Sequence, residues 1–286
     1  MNQTVQLFLY FCFMITFPNA KINLGLHITE KRSDGFHNLE TVFFPVGWSD
    51  MLEFVESGEI HFTTSGIDIV GEPESNLVMK AYRILKNDFD LPNLSIHLHK
   101  QIPLGAGLGG GSSDGAFMLQ MLNKTYNLRL SQEQLLSYAA VLGSDCPFFI
   151  LNKPVYATGR GEIMTPIDVR LNDMFILLIK PPIEVSTAKA FQLVTPKKSG
   201  ITLPELLSFS VQEWKEKVIN QFESSVFQLY PEIEAIRQQL YDRGAVYASM
   251  SGSGSCVFGL FKESPDNIKT MFPAPFLTFN QQFQFR

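Results

Sequence analysis

The glycine-rich stretch "PLGAGLGGGSSDGA" (Pro103–Ala116) constrains this chain more than any other feature. It follows "LSIHLHK" (Leu94–Lys100), whose apolar and polar residues alternate as in a strand. It leads into "SSDGAFMLQMLNKTY", where apolar residues at helical spacing predict a helix that begins near Ser113. A flexible linker joins two domains, whereas this stretch joins a strand directly to a helix. Glycines at such a turn let backbone amides approach a ligand, and a helix N-terminus attracts anions, so the stretch predicts a phosphate site.

The common phosphate-binding patterns fit this stretch only in part. Gly105, Gly107 and Gly110 satisfy G-x-G-x-x-G, but the acidic residue expected about 20 residues later, after a second strand, is replaced by a loop that enters a helix. A P-loop requires lysine and Ser/Thr where the chain has Gly111 and Ser112. Neither H-R-D nor D-F-G of the protein kinases occurs. Spacing alone therefore leaves the kind of phosphate site open.

Composition narrows the class of protein. With 286 residues, 45% hydrophobic and 18% charged, the chain is typical of a globular protein with one large or two smaller domains. A net charge of −5 argues against a broad nucleic-acid surface. Cys12, Cys146 and Cys256 lack the spacing of a metal site or a disulfide framework, which indicates buried thiols in a reducing cytoplasm.

The N-terminus carries an apolar run, "LFLYFCFMITF", that is too short to span a bilayer. No Lys or Arg precedes Lys21 and no cleavage pattern follows the run, so neither a signal peptide nor a membrane partner is predicted. We expect Met14 to be the functional start and residues 1–13 to be a non-native or disordered extension.

Other elements of the first half follow from their patterns. "MITFPNAKINLGLHIT" predicts a strand interrupted at Pro18, and "NLVMKAYRILKND" predicts an amphipathic helix. Ser131 and Gln134 match a capping box of a second helix that stops at Gly143. Asp145, in "SDCPFFI", is expected at a helix-to-strand junction, where its side chain can be aimed into a cleft.

The second half begins with "MFILLIKPPIEVSTAKAF", which predicts a strand, a Pro-Pro turn and a helix. "PEIEAIRQQLYDRG" predicts a helix with Pro231 in its first turn and Gly244 as its stop. "AVYASM" and "CVFGLF" predict strands on either side of the turn "SGSGS". The pattern places a domain boundary between residues 155 and 175.

Three segments, in order, resemble signatures of the GHMP family of small-molecule kinases, which includes galactokinase, homoserine kinase, mevalonate kinase and phosphomevalonate kinase. They are the lysine-bearing strand "PNAKINLGL", the glycine stretch "PLGAGLGGGSS" and the late turn "SMSGSGSCVFGLF". The resemblance implies an α/β fold of the α+β type. Residues 14–160 would form an ATP-binding domain with a mixed, ribosomal-protein-S5-domain-2-like sheet, residues 161–286 a ferredoxin-like domain, and catalysis would take place in the cleft between them.

Within that family, "PNAKINLGLHITEKRSDGFHNLETVFFPV" and "GSDCPFF" are similar to members of the non-mevalonate isoprenoid route that phosphorylate the 2-hydroxyl of a cytidine-diphosphate-linked methylerythritol. The resemblance implies that Asp145 is the base, that Lys21 lies beside it and that Asn23 binds the acceptor. From position alone, a capping or turn aspartate is the more common interpretation for Asp145, and a solvated surface charge is the more common one for Lys21.

The same resemblance implies a cytosine pocket. Phe36 would stack on the base, His37 would read its polar edge, Phe191 would cover the other face and Thr187 would touch the substrate. Ordinary core packing is the competing interpretation for both phenylalanines. His97 and His99, two residues apart on a strand, have no third ligand in view and are interpreted as structural.

The resemblance also implies that ATP is the phosphoryl donor and that Mg²⁺ accompanies it. Ser112 or Ser113 would lie near this metal ion, and no other metal site is expected. For the turn "SGSGS" (residues 251–255), a plain tight turn without a ligand remains the alternative to ATP binding. We expect a cytoplasmic monomer or weak homodimer, with a cytidine-diphosphate substrate and no nucleic acid. The implied ATP-binding residues are Asn76, Leu77, Lys100, Pro103, Gly105, Gly107, Leu108, Gly109, Gly110, Gly111, Ser112, Ser113, Ser251, Gly252, Ser253 and Gly254.

Two other functions remain open at this level. The chain could be a different GHMP kinase, acting on mevalonate, homoserine or a sugar, although "DGFH" suits a cytosine that those substrates lack. It could also be a catalytically silent relative that binds nucleotide, which the presence of both Lys21 and Asp145 disfavours.

Overall fold

The computed structural model describes residues 14–284, so the expected extension 1–13 and Cys12 lie outside the described residues. The chain divides into two compact units, neither of which is continuous in sequence. The first contains the described residues up to Ala20, Val46–Leu104 and Gly109–Asn152. The second contains Lys21–Pro45, Gly105–Leu108 and the chain from Lys153 onward.

The first half of the chain alternates strands and helices before it becomes helical. Its elements are β1 (Ile15–Thr16), β2 (Asn19–Lys31), β3 (His37–Ser49), β4 (Met51–Glu56), β5 (His61–Gly66), α1 (Leu77–Asp88), β6 (Leu94–Lys100), α2 (Gly110–Thr125), α3 (Gln132–Leu142) and α4 (Cys146–Leu151), with a 3-10 turn at Pro73–Ser75. The first unit is built on a sheet of order β1-β4-β6-β5, in which β5 and β6 are parallel and the other pairs antiparallel.

The alternation that predicts β6 is confirmed by its burial. Leu94, Ile96 and Leu98 point into the core together with Lys100, the last residue of the strand. The two histidines between them face the other side, where Ser65 on β5 lies 2.9 Å from a ring nitrogen of each. Across residues 14–284, no group of three or more His, Cys, Asp or Glu residues could hold a metal ion.

Helix α2 begins at Gly110, three residues before the predicted start near Ser113. Gly109 precedes it with a left-handed φ of 70°. A Cβ at Gly110 would come within 2.9 Å of the Ile102 side chain, so a glycine is required for the first turn to pack there. The prediction was late because glycines are poor helix formers in general, whereas packing decides at this position.

Helix α3 starts and ends as predicted. Ser131 accepts a hydrogen bond from the backbone N of Gln134 at 3.3 Å, and the Gln134 side chain accepts from the backbone N of Ser131 at 2.9 Å, which completes the capping box. Gly143 ends the helix. The next segment was predicted wrongly: Asp145 leads into α4, not into a strand. Pro147 lies in the first turn of α4 and Asn152 closes it in a left-handed conformation, so a short helix forms among buried aromatic residues.

The second half supplies the remaining strands and five helices. They are β7 (Val155–Thr158), β8 (Ile163–Pro166), β9 (Phe175–Lys180), α5 (Thr187–Leu193), α6 (Leu203–Leu207), α7 (Phe222–Leu229), α8 (Pro231–Asp242), β10 (Tyr247–Met250), β11 (Val257–Phe261), α9 (Ile268–Met271) and β12 (Leu277–Gln282), with a 3-10 turn at Val211–Glu216. One sheet has the order β2-β3-β7-β8, and an antiparallel sheet has the order β10-β11-β9-β12.

The core of the second unit joins these elements through apolar side chains. Leu26 and Ile28 of β2 belong to the same buried cluster as Ile179 of β9 and Val226 of α7. The predicted strands around the late glycine turn, and the helix that starts at Pro231, are confirmed. Strand β12 was not predicted. Within residues 14–284, no helix combines the length and the apolar character needed to cross a bilayer.

Candidate active site

The glycine loop reaches α2 through a series of left-handed glycines. Gly105, Gly107 and Gly109 have φ values of 59°, 75° and 70°. An L side chain would be strained at each of these positions, so the sequence G-A-G-L-G is what permits this path. Gly105–Leu108 belongs to the second unit and the loop from Gly109 onward to the first.

Three segments that are far apart in sequence meet at the carbonyl oxygen of Gly107. The Lys21 ammonium donates to it at 3.0 Å, and the Ser251 hydroxyl donates to it at 2.8 Å. The backbone adds two ties: Lys21 N to Leu108 O at 2.9 Å and Cys256 N to Ala106 O at 3.2 Å. The lysine strand, the glycine loop and the late glycine turn are therefore joined in the second unit.

Lys21 is buried, which removes the solvated surface lysine from consideration. Its ammonium also donates to Asn23 Oδ1 at 2.7 Å and lies 5.0 Å from the centre of the Phe43 ring. Asn23 in turn donates to the Thr41 hydroxyl at 2.9 Å. A buried ammonium held by oxygens and an aromatic face is fixed in position and can offset negative charge on a phosphoryl group.

The late turn is held by a residue that the sequence interpretation missed. Asn220 is buried, and its side-chain amide donates to the carbonyls of Met250 and Gly252 at 2.8 Å each. Gly252 and Gly254 have left-handed φ values of 56° and 91°. The one signal in the sequence is that Asn220 stands among apolar residues in "KVINQF". An amide buried there needs hydrogen-bond partners, which indicates a structural role for Asn220.

The first turn of α2 carries the two serines of the predicted phosphate site. Ser112 is half-buried and hydrogen-bonds the thiol of Cys146, whose pKa burial raises to about 11. Ser113 is fully buried, and its hydroxyl has no hydrogen-bond partner among residues 14–284. A buried hydroxyl without a partner, at a helix N-terminus, is suited to a ligand oxygen or cation.

The residues predicted near adenine and ribose lie in the first unit. Asn76 caps α1, accepting from Val78 N at 2.9 Å, and Leu77 packs so closely against α2 that a Cβ at Gly115 would lie 3.0 Å from it. Pro103 is buried beside the loop. The Lys100 ammonium is enclosed by two carboxylates, so any contact of this residue with ATP would pass through its backbone.

Asp145 is half-buried at the start of α4 and its side chain does not cap that helix. The Asp145 side chain therefore makes no capping hydrogen bond to α4, and its interpretation as a turn aspartate stays open. Asp145 belongs to the first unit and Lys21 to the second. Their joint role stays a prediction.

The residues predicted to bind cytosine form two contacts rather than one sandwich. His37 stacks on Phe191 with ring centres 5.1 Å apart and planes inclined by 23°. Phe36 is 55% exposed at the β2–β3 turn, and the Arg160 guanidinium lies 4.9 Å from the centre of its ring. Phe191 also packs edge-on against Phe222 at 4.8 Å. Arg160 was not predicted, and it lies against one face of the exposed Phe36 ring.

Thr187 opens α5 and its hydroxyl lies 2.8 Å from that of Ser253. This hydrogen bond joins Thr187, which is predicted to contact the substrate, to Ser253, which is predicted to contact ATP.

Beneath the β2–β3 turn lies a second hydrogen-bonded group that was not predicted. Glu40 is buried, with His27 Nδ1 at 2.9 Å and the Tyr156 hydroxyl donating at 2.6 Å. Burial alone would raise the pKa of Glu40, but the hydrogen bonds from His27 and Tyr156 outweigh it and hold the pKa below its usual range.

Two family models match the chain. "GHMP kinases N terminal domain" matches residues 76–153, and "GHMP kinases C terminal" matches residues 203–276. The expected α/β fold is confirmed by these matches and by the structure comparison below.

Curated relatives and solved structures extend the match to nearly the whole chain. A 4-diphosphocytidyl-2-C-methyl-D-erythritol kinase of Bacteroides fragilis is 52% identical over 267 residues, which are 92% of this chain and 97% of the relative. The protein of that name from Bacteroides thetaiotaomicron is 55% identical over 253 residues, 87% and 92% of the two chains. A crystal structure of a 4-(cytidine 5'-diphospho)-2C-methyl-D-erythritol kinase superimposes with a TM-score of 0.80 at 30% identity, covering 93% of this chain and 98% of the other.

Proposed function

Because the chain belongs to the GHMP kinases, and within them to the group of 4-diphosphocytidyl-2-C-methyl-D-erythritol kinases, we propose that it phosphorylates 4-diphosphocytidyl-2-C-methyl-D-erythritol. ATP donates the phosphoryl group, the 2-hydroxyl accepts it, and ADP leaves. The reaction belongs to non-mevalonate isoprenoid synthesis. The observation that carries the proposal is the meeting of Lys21 and Ser251 at the Gly107 carbonyl, which joins all three family signatures.

The glycine loop is the proposed cradle of the ATP phosphates. Its left-handed glycines keep the backbone free of side chains at the start of α2, so that amides and the helix N-terminus can face the triphosphate. The late turn, held by Asn220, supports the loop through Ser251. Asn76 and Leu77 are assigned to the adenine and ribose, with Lys100 restricted to its backbone.

The acceptor hydroxyl is oriented by Asp145, which takes its proton as the bond to phosphorus forms. A tertiary alcohol is a weak and crowded nucleophile, so a carboxylate that holds it in line contributes mainly by positioning. Lys21 offsets the charge of the transferred group, and Asn23 keeps the Lys21 ammonium in place.

Magnesium fits the residues present. The buried, unpartnered Ser113 hydroxyl supplies an oxygen of the type that Mg²⁺ binds, and phosphate oxygens and water complete such a site. Ser113 would hold the ion rather than Ser112, whose hydroxyl already contacts Cys146. The ion supplies positive charge against the phosphate oxygens.

The cytosine end is assigned to Phe36, His37 and Phe191, with Thr187 nearby. Opening of the His37–Phe191 stack would admit the base, because a centre-to-centre distance of 5.1 Å leaves no room for a third ring. The proposal keeps the limits 14–160 and 161–286 for the two family domains, which divide the chain differently from the two compact units. It also includes a small-molecule substrate carrying cytidine diphosphate, a cytoplasmic location, no nucleic-acid partner, and a monomer or weak homodimer.

The experiment is ADP release with ATP, magnesium and 4-diphosphocytidyl-2-C-methyl-D-erythritol, with mevalonate, homoserine and galactose as control acceptors. We expect turnover with the cytidyl substrate alone. Asp145→Asn should reduce kcat by at least about a hundredfold, whereas Asp168→Asn, an exposed carboxylate paired with Arg170, should not. Turnover of a control acceptor would refute the substrate assignment, and full activity of Asp145→Asn would refute the base.

The cytosine pocket has its own test. Calorimetry with CMP should detect binding to the wild type and at least about tenfold weaker binding to His37→Ala, as expected for a lost hydrogen bond and stack. Equal binding by the two proteins would remove His37 from the pocket.

A further inference from the structure

A buried ionic triad lies at the two ends of the glycine loop. Asp50 follows β3, Lys100 ends β6 and Asp114 lies in the second turn of α2, and their exposed fractions are 0%, 1% and 2%. The Lys100 ammonium donates to Asp50 and, at 2.8 Å, to Asp114. Because burying three ionisable groups is costly in desolvation, their placement calls for a reason other than stability.

The triad holds the loop from both sides. Asp50 Oδ1 accepts the backbone N–H groups of Gln101 at 2.5 Å and Ile102 at 2.8 Å, where the chain leaves β6. Lys100 then reaches across to Asp114 on α2, where the loop ends. The triad is therefore a brace between the strand and the helix that the loop connects.

Gly110, the first residue of α2, packs against the Lys100 ammonium. A Cβ at Gly110 would lie 2.9 Å from Lys100 Nζ, so a larger residue at the start of the helix would displace the ammonium. The position of the α2 N-terminus, and with it the direction of its amides, depends on where Lys100 is held. The alternation of β6 already puts Lys100 on the buried face of its strand.

We propose that Asp50, Lys100 and Asp114 are positioning residues for ATP, which set the spacing between β6 and α2. The inference rests on the proposed function, since it requires ATP in the glycine loop. None of the three side chains contacts the nucleotide in this account. Lys100 acts through the helix start that it supports.

Removal of one acceptor of the Lys100 ammonium tests the inference. Asp114→Ala leaves Lys100 with Asp50 alone, so the affinity for magnesium ATP, measured by calorimetry without acceptor, should fall about tenfold, while the affinity for CMP changes less than about twofold. Glu74→Gln, which removes an exposed ion pair with Arg83, should follow the wild type.

A second variant examines the brace itself. Asp50→Asn removes the charge that faces Lys100, so the KM for ATP should rise about tenfold while the KM for the cytidyl substrate changes less than about twofold. A general structural defect would alter both constants. If Asp50→Asn does not fold, the Asp114→Ala comparison still decides.

The outcomes separate the two claims. Unchanged ATP binding by Asp114→Ala together with an unchanged KM for ATP in Asp50→Asn would overturn the positioning inference alone. No binding of ATP to the wild type would overturn both the inference and the proposed function. Weaker ATP binding by Asp114→Ala without turnover of the cytidyl substrate by the wild type would support the inference and refute the acceptor.

Discussion

Replacement of Gly107 by alanine should be the most damaging small change in the loop. Gly107 has a φ of 75°, and a Cβ there would lie 2.0 Å from the carbonyl oxygen and 2.8 Å from the carbonyl carbon of Ser251. Both obstacles are backbone atoms, so a rotamer change cannot relieve the overlap. The loop or the late turn must shift.

The free-energy cost follows from two contributions. A left-handed conformation costs a non-glycine residue about 1–2 kcal/mol, and forced displacement of packed structure adds about 1–3 kcal/mol. The sum, about 2–5 kcal/mol, corresponds to a fall in Tm of about 5–15 °C for a chain of this size. The shift also pulls the Gly107 carbonyl away from Lys21 and Ser251, so the KM for ATP should rise at least about tenfold.

Two other glycines of the loop serve as matched controls in thermal denaturation. Gly105 has a φ of 59° but nothing within 4 Å of an added Cβ, so Gly105→Ala should cost only the backbone contribution, about 1–2 kcal/mol. Gly111 is helical with the same open space, so Gly111→Ala should not lower the Tm. Equal losses for Gly105→Ala and Gly107→Ala, or no loss for Gly107→Ala, would refute the steric argument.

Three further predictions concern capping, acid stability and the cytosine pocket. Asn76→Ala removes the cap of α1 and should cost about 1 kcal/mol in thermal denaturation; an unchanged Tm would show that the cap is dispensable. The depressed pKa of Glu40 contributes stability that is present above its unfolded pKa and is lost as pH falls through its folded pKa, so Tyr156→Phe, by raising that pKa, should move acid unfolding to higher pH. An unshifted acid midpoint contradicts this. Arg160→Ala uncovers one face of Phe36 and should weaken CMP binding about two- to fivefold in calorimetry; tighter binding would mean that Arg160 blocks the pocket.

Local sequence signals predicted the elements whose ends are determined locally. The capping box at Ser131 and the glycine stop at Gly143 both lie within one turn of the helix they delimit, and both are confirmed. The start of α2 and the helix after Asp145 were wrong for a shared reason. Each depends on packing, that of α2 against Ile102 and Lys100 and that of α4 through its own buried aromatic side chains, and propensity does not reveal such packing.

Some residues of the candidate site were predicted from the sequence, and others were missed. The resemblance identified the lysine strand, the loop and the late turn, and Lys21, Gly107 and Ser251 meet in the structure. Sequence reasoning missed Asn220 and Asp50, whose hydrogen bonds reach 30 and about 50 residues along the chain. A buried polar side chain shows its purpose only when its partners are known, and periodicity does not identify those partners.

The interleaved division of the chain has a consequence for its synthesis. Lys21–Pro45 leaves the ribosome early, but the rest of the second unit, apart from Gly105–Leu108, begins only at Lys153. At about 5–20 residues per second, these strands wait roughly 5–20 s for their partners. The apolar β2, whose buried residues run from Ala20 to Ile28, is exposed to aggregation or to chaperones during that interval. No single cut of the polypeptide separates the two units, so a truncated gene cannot deliver either one intact.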